Sequence, residues 1–329
     1  MIVESFDPHA APEADYDAHY RLRAATTAAD APQFPPPPRA MMDALLREQP
    51  SWPGRYQFWV ARSGEGELIG LSWLGELESP NEQLAAICVN VHPAHRDRGI
   101  GSALLAPPVR AAELAGRPRL LTPCVNEASP GPAWVRHRGF QQAYRHHVQL
   151  LELGTQPAPS AVAAGYRLET WTGSAPDELL ESYAAARRAI DDAPHHQMSY
   201  RSPRWTGSKV RDHEATRREA GLAHLVVAAV HEATGAVAGH TIVNIREGVP
   251  TAQQDDTAVL AAHRGHGLGL AMKTAMLARL TAEYPQAERV HTANASDNEA
   301  MLRINRALGF ETRAIHLNFE ADTTSVSLP

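Results

Sequence analysis

The sequence predicts two tandem α/β domains of one fold, each a sheet flanked by helices. Three observations carry that reading. The stretch Arg264-Gly265-His266-Gly267-Leu268-Gly269 follows a strand-like run, Thr257 to Leu260, and opens a helical pattern, Leu270 to Leu280. A looser copy, Arg96-Asp97-Arg98-Gly99-Ile100-Gly101, stands between Ile87–Val91 and Ser102-Ala103-Leu104-Leu105. Landmarks around the two loops then recur in one order: Asp-Ala-Pro at Asp30 and Asp192, a hairpin, the loop, and Gly-Phe at Gly139 and Gly309. A period of about 168 residues is a duplicated domain rather than a short solenoid repeat.

Each copy reads the same way along the chain. A strand (Ile2 to Phe6; Tyr166 to Trp171) leads to a helix (Asp15 to Ala29; Pro176 to Ile190) and a variable segment. A hairpin follows, Phe58 to Ala61 with Leu68 to Trp73 in the first copy and Leu225 to Val230 with Ala236 to Val243 in the second. After the strand–loop–helix unit come another strand (Arg119 to Val125; Arg289 to Asn294), a short helix and a last strand (Ala143 to Leu153; Ala314 to Phe319). Short apolar runs bounded by Gly, Pro and Asp mark the strands, and a 3.6-residue period marks the helices. Leu270, Met272, Ala275, Met276, Leu277 and Leu280 give one helix an apolar face against a sheet.

At a strand-to-helix junction the first backbone N–H groups of the helix lack partners, and glycine lets a ligand approach them closely. The helix dipole adds partial positive charge there, which suits a pyrophosphate. Neither copy is a Walker A loop, since Gly-Lys-Ser/Thr is missing, and the dinucleotide register fails because Leu270 stands where a third glycine belongs. No G-x-S-x-G elbow occurs. A tight turn that merely needs glycine would account for one copy; the repeat argues against it.

Composition narrows the classes. With 329 residues, 43% of them hydrophobic, the chain can fill about two ordinary cores. The longest apolar runs are far short of a membrane span, and Met1-Ile2-Val3-Glu4 does not open a signal peptide. Two cysteines without a pattern fit a reducing cytoplasm. A net charge of −6 without a basic block argues against nucleic acid. The pairs His146-His147 and His195-His196 have the wrong spacing for helical ligation, and Cys88 and Cys124 are isolated, so no metal site is expected.

The Arg-x-x-Gly-x-Gly loops resemble the CoA-pyrophosphate motif of the GNAT superfamily of acyl-CoA-dependent N-acyltransferases. The block Thr292 to Asn298, followed by Met301 to Phe310, resembles the family's pantetheine-arm segment, in which asparagines bind the cofactor and Leu-Gly-Phe ends a helix. Together the copies resemble a tandem-GNAT protein of actinobacterial type over nearly the whole chain, most closely in the second half. The resemblance implies two α/β (α+β mixed) domains, each a mostly antiparallel mixed sheet flanked by helices: 1–153, a linker 154–165, and 166–329. It implies acetyl-CoA, or another short acyl-CoA, as cofactor and a primary amine of a small molecule as acceptor. A protein or peptide amine, or a non-catalytic acyl-CoA sensor, are the alternatives. Arg264, Gly265, His266, Gly267, Leu268 and Gly269 would hold the pyrophosphate, Asn294 and Asn298 the pantetheine arm, and a backbone N–H at Val259 or Leu260 the thioester oxygen. Arg96, Gly99 and Gly101 are the counterparts in the first half, where CoA binding is left open, as is the choice between monomer and homodimer.

Departures from the family pattern matter. Many members have a tyrosine four residues before the final glycine as general acid; here Asn305 and Val135 stand there. Neither is an acid, although asparagine can offer an N–H to sulfur. Pro107-Pro108 is expected to interrupt the first-half helix, and Asn126-Glu127-Ala128-Ser129-Pro130-Gly131-Pro132 replaces the asparagine block. The second half therefore reads as the catalyst. Asp255, Asp256 and His240 are its candidate bases; strand alternation lets only one of the two carboxylates face the cleft. A strand-end cap is the alternative role. Asp191, Asp192, His195 and His196 fall where family members build the acceptor pocket, or on a plain loop surface.

Overall fold

The computed structural model describes residues 1–36, 38–47, 54–154, 158–192 and 198–328. In chain order the first copy contains β1 (Ile2–Phe6), α1 (Glu13–Asp30), α2 (Arg39–Arg47), β2 (Gly54–Arg62), β3 (Leu68–Leu77), β4 (Leu84–Val91), α3 (Ile100–Leu114), β5 (Arg119–Asn126), α4 (Gly131–His137) and β6 (Gln141–Glu152). The second contains β7 (Tyr166–Thr172), α5 (Asp177–Arg187), α6 (Gly207–Glu219), β8 (Leu222–His231), β9 (Val237–Arg246), β10 (Thr251–Val259), α7 (Leu268–Glu283), β11 (Arg289–Ala295), α8 (Glu299–Ala307) and β12 (Glu311–Asp322). Every element expected from the sequence is present, and the variable segments carry the helices α2 and α6. The two tandem α/β domains expected from the sequence thus agree in element order, and their sheets are mixed: β1 to β4, β5 with β12, and β7 to β10 pair antiparallel, whereas β4 meets β5 and β10 meets β11 in parallel.

Two compact units result. One has the strand order β1-β2-β3-β4-β5-β12, the other β7-β8-β9-β10-β11-β6. The sequence copies and the compact units therefore differ at their last strands. The second unit takes the chain from His147, inside β6, and the first regains it from Ala314, inside β12. Antiparallel register explains the second fact: Leu317 pairs Val125 and Asp322 pairs Arg119, so β5 finds its outer neighbour in the C-terminal strand. The linker segment from 158 onward belongs to the second unit, where the Ser160 N–H donates to Thr274 Oγ1 at 3.0 Å.

In the second unit, β8 is buried on both faces, which its unbroken run Leu225-Val226-Val227-Ala228-Ala229-Val230 anticipates. Leu225, Val227 and Ala229 meet Met272, Met276, Leu277 and Leu280 of α7. Val226, Ala228 and Val230 meet Trp171, Leu179, Tyr183, Trp205 and Val210 on the opposite side. The first unit repeats the plan, with α3 on one face (Leu105, Val109, Ala112 against Leu74, Ala85, Ile87) and α1 and α2 on the other (Tyr16, Leu22, Leu46 against Phe58, Val60, Leu71).

One expectation fails. Helix α3 is not interrupted at Pro107-Pro108 but runs through both prolines to Leu114. Each proline removes an intrahelical bond, at about 3 kcal/mol or more. Leu104 and Leu105 before them and Val109 and Ala112 after them are all essentially buried. At roughly 1.5–3 kcal/mol for each large side chain, the burial of that face is of the size needed to offset the loss. The first half is not damaged in this respect.

Leu277 lies at the centre of the α7 contact and is 1% exposed. Leu277→Ala should destabilise the second unit by about 2–5 kcal/mol. Urea unfolding followed by the fluorescence of Trp171 and Trp205 measures it, and a change below 1 kcal/mol would contradict this packing.

Candidate active site

In the second unit β10 pairs with β11 only at Thr251↔Arg289, Ala252↔Val290 and Gln253↔His291. Beyond that point the register ends while both strands continue, so they part. At the end of β10 a single helical turn, Ala261–His263, leads into Arg264 and then α7. Gly265 and Gly267 have φ of 83° and 71°, the left-handed region that disfavours side chains. A Cβ at either glycine would meet nothing within 4 Å, so the backbone in front of the helix is open. That open, N–H-lined cradle is what a pyrophosphate requires. Gly269 has another role: its Cα faces Ile304 so closely that a Cβ would come within 3.2 Å, which keeps α7 and α8 together.

The Arg264 side chain does not reach into the cradle. Its Nε donates to the Val259 carbonyl at 3.0 Å and its Nη2 to Asp192 at 2.5 Å. His266 is exposed, with Nδ1 3.1 Å from the Arg264 carbonyl. The Tyr166 hydroxyl braces the turn through His263 Nδ1 at 2.9 Å. Arg264 and Asp192 thus shape the loop, and any phosphate would be met by backbone N–H groups.

The first unit repeats this geometry. Arg96 Nε donates to the Val91 carbonyl at 3.2 Å, and its guanidinium grips both Asp30 oxygens at 2.8 and 2.6 Å. Gly99 caps α3 with φ 77°, Asp97 takes φ 59° in the place of Gly265, and Gly101 packs on Trp134 as Gly269 packs on Ile304. Strands β4 and β5 also part after Ala86↔Leu121.

The copies diverge at one inserted residue. Along β10 the register with β9 runs Gln254↔Val243 and then Thr257↔Thr241, so Asp255 and Asp256 together oppose Ile242. This is a β-bulge, and it overturns the alternation argument: both carboxylates enter one polar cluster. Asp255 Oδ2 accepts a short hydrogen bond from Asn244 Nδ2, and the Asn244 oxygen is held by His224 Nδ1 at 2.8 Å. Asp256 Oδ2 accepts from Arg187 Nη2 at 2.9 Å, and the Arg187 guanidinium stacks 3.5 Å from the Trp205 ring centroid. Burial, and next the Asp256 carboxylate, push Asp255 up to about 6 against the pull of Arg217 and Arg187. Strand β4 is one residue shorter and pairs with β3 without a break, and counting back from Arg96 the two acidic places fall on Ile87 and Cys88.

His240 is fully buried, edge-on to Tyr183 at 5.6 Å, and burial, then Arg187, push it down to about 3. Such an imidazole is a poor base and faces no opening. Asn305 is also fully buried, and both ends of its amide are taken: Lys273 Nζ donates to Oδ1 at 2.7 Å and Nδ2 donates to Gln149 Oε1 at 2.8 Å. One of the two Nδ2 hydrogens is thus committed to Gln149. Burial lowers Lys273 to about 7; sequence reasoning passed over this lysine and Gln149, the two partners of the Asn305 amide. Asn294 Nδ2 bonds the same Gln149 oxygen at 3.3 Å, while Asn298 caps α8 by accepting from the Met301 N–H at 3.2 Å.

The Leu260 N–H is taken by the Ala238 carbonyl at 2.9 Å. Antiparallel alternation then turns the Val259 N–H the other way, toward the parted side of β10. Asp191 and Asp192 close α5 in a short 3₁₀ turn, whereas His195 and His196 lie outside the described residues.

Comparison with known proteins agrees with this geometry. Residues 54–142 match the model of an acetyltransferase (GNAT) domain and residues 187–310 that of the acetyltransferase (GNAT) family. The matches span well over half of the sequence, and the chain belongs to the GNAT acetyltransferases, as a tandem of two such domains. No curated protein sequence matches it. Among solved structures it is similar to a tandem GNAT protein from the clavulanic acid biosynthesis pathway, with 29% identity, 98% of each chain covered and a TM-score of 0.77. A GCN5-related N-acetyltransferase from Sphaerobacter thermophilus shares the fold at 15% identity, with 100% of this chain and 96% of that one covered and a TM-score of 0.75. The chain is thus an N-acetyltransferase, and no helix among its described residues is long and apolar enough to cross a membrane.

The bulge makes a pH prediction. Removing the Asp256 charge lowers the proton affinity of Asp255 and leaves Arg187 to lower it further. If Asp255 is the base, the wild-type rate should rise through pH about 6, and Asp256→Asn should move that rise to lower pH. A kcat/KM profile checks it; an unmoved or upward-moved limb would contradict the assignment.

Proposed function

We propose that the second unit transfers an acetyl group from acetyl-CoA to a primary amine of a small molecule, with Asp255 as general base. The observation that carries this reading is the bulged carboxylate pair beside the parted strands, which the first unit lacks. When bound, the thioester supplies the activated acyl group. The open backbone from Gly265 to Gly269 would hold its pyrophosphate, and Asn294 would lie beside the pantetheine arm.

The roles follow from the geometry. An incoming amine reacts only when neutral, and Asp255, with a pKa of about 6, is largely ionised near pH 7 yet close enough to that pH to accept a proton. Asn244 and His224 fix its orientation, and Arg187 is ion-paired with Asp256 beside it. The Val259 N–H would be the donor to the carbonyl oxygen of a bound thioester, a contact worth about 3 kcal/mol in comparable sites. Asn305, hydrogen-bonded to Lys273 and Gln149, would not serve as an acid, and the low proton affinity of a thiolate leaving group would make a dedicated one unnecessary.

A small acceptor is supported by the 29% identical tandem protein, which belongs to the biosynthesis of a small molecule, clavulanic acid. The two free thiols suit a reducing compartment such as the cytoplasm.

Acetylation of a panel of primary amines tests the reading. Gly267→Glu places a charged side chain in the cradle at a left-handed backbone and should abolish turnover. Gly99→Glu should leave turnover nearly intact. Loss of activity in Gly99→Glu, with the fold retained, would assign the chemistry to the wrong unit.

A further inference from the structure

We propose that the first unit binds a thiophilic divalent cation, of the zinc type, through Cys124, His146 and His316. The Cys124 thiol and one ring nitrogen of each histidine lie within 4.8 Å of one another. In a tetrahedral zinc shell, with bonds of about 2.3 Å to sulfur and 2.0–2.1 Å to nitrogen, donor atoms sit about 3.3–3.6 Å apart. Small side-chain rotations reach that spacing. One thiolate and two imidazoles form a sulfur–nitrogen donor set that zinc favours over magnesium or calcium.

The strands build this group deliberately. Cys124 lies on the stretch of β5 beyond its pairing with β4, in the left-handed region with φ 57°. The register of β5 with β12 shifts between Leu317 and Phe319, and Asn318 Oδ1 accepts the Cys124 N–H at 2.9 Å. That bulge turns the thiol toward His316 on the same strand pair. His146 and His316 are each the sixth residue of the last strand of their copy, and their rings meet edge to face at 5.7 Å. Duplication thus supplied two equivalent imidazoles, and Cys124 supplies the sulfur at the place where the second copy has Asn294. His146 is buried, His316 half-buried and Cys124 exposed, so the group is closed behind and open at the sulfur. An open fourth position there would admit water or a further ligand.

Sequence spacing could not reveal this arrangement, because its residues come from three separate strands. His147, beside His146, turns to the opposite face, with Nδ1 3.2 Å from Thr312 Oγ1. It is the natural control in a chain with 17 histidines.

The test is titration of the metal-stripped full chain with Co²⁺, followed by competition with Zn²⁺ and a chromophoric chelator. One equivalent of Co²⁺ per chain, with thiolate-to-metal charge-transfer absorption, is expected. Cys124→Ser should abolish that absorption. Since even a lost second-shell partner costs 10–100-fold in affinity, His316→Ala should weaken binding by at least about tenfold. His147→Ala should change neither. Circular dichroism of each variant confirms that it is folded, and Zn²⁺ should protect Cys124 of the wild type from alkylation. Absence of the charge-transfer band, or binding that Cys124→Ser leaves unchanged, would overturn the proposal.

Discussion

The geometry of both loops depends on one arginine clamp. Arg264 joins the end of β10, through the Val259 carbonyl, to Asp192 at the end of the preceding helical segment. Arg96 does the same through Val91 and Asp30. These ion pairs are half-exposed, so each contributes little to global stability. Their effect is local. They fix the chain direction where a strand must turn into a helix, and the residues between them then take left-handed conformations that point backbone N–H groups outward. The arginine looks like a phosphate ligand in the sequence, but the structure uses it to shape the loop.

On that shared frame a single inserted residue separates the two units. The bulge at Asp255 and Asp256 brings two carboxylates into a half-buried cluster and raises one toward neutrality. Without the insertion, β4 continues its regular pairing with Ile87 and Cys88 in those places. The proposed division of labour between the units therefore rests on this bulge more than on helix integrity, since α3 tolerates its two prolines.

The legible part of the fold was the part that local physics dictates. Glycines at a strand-to-helix turn, the doubly apolar run of β8 and the face of α7 all announce themselves in single stretches of sequence. What stayed hidden depends on partners distant in the chain. Whether Pro107 and Pro108 end a helix is decided by the burial of Leu104, Leu105, Val109 and Ala112. Alternation placed Asp255 and Asp256 on opposite faces because it cannot see a bulge. Nothing local in the sequence marks Lys273 and Gln149 as the partners of the Asn305 amide. The strand exchange of β6 and β12 leaves no local mark, since each strand has the same pattern whichever neighbour it meets.

The most direct test of the central claim is the stoichiometry of acetyl-CoA binding by calorimetry on the full chain. The account predicts one site per chain, lost when the cradle of the second unit is blocked at Gly267. Two equivalent sites, or one that survives a block at Gly267 and vanishes with a block at Gly99, would contradict the division of labour between the units.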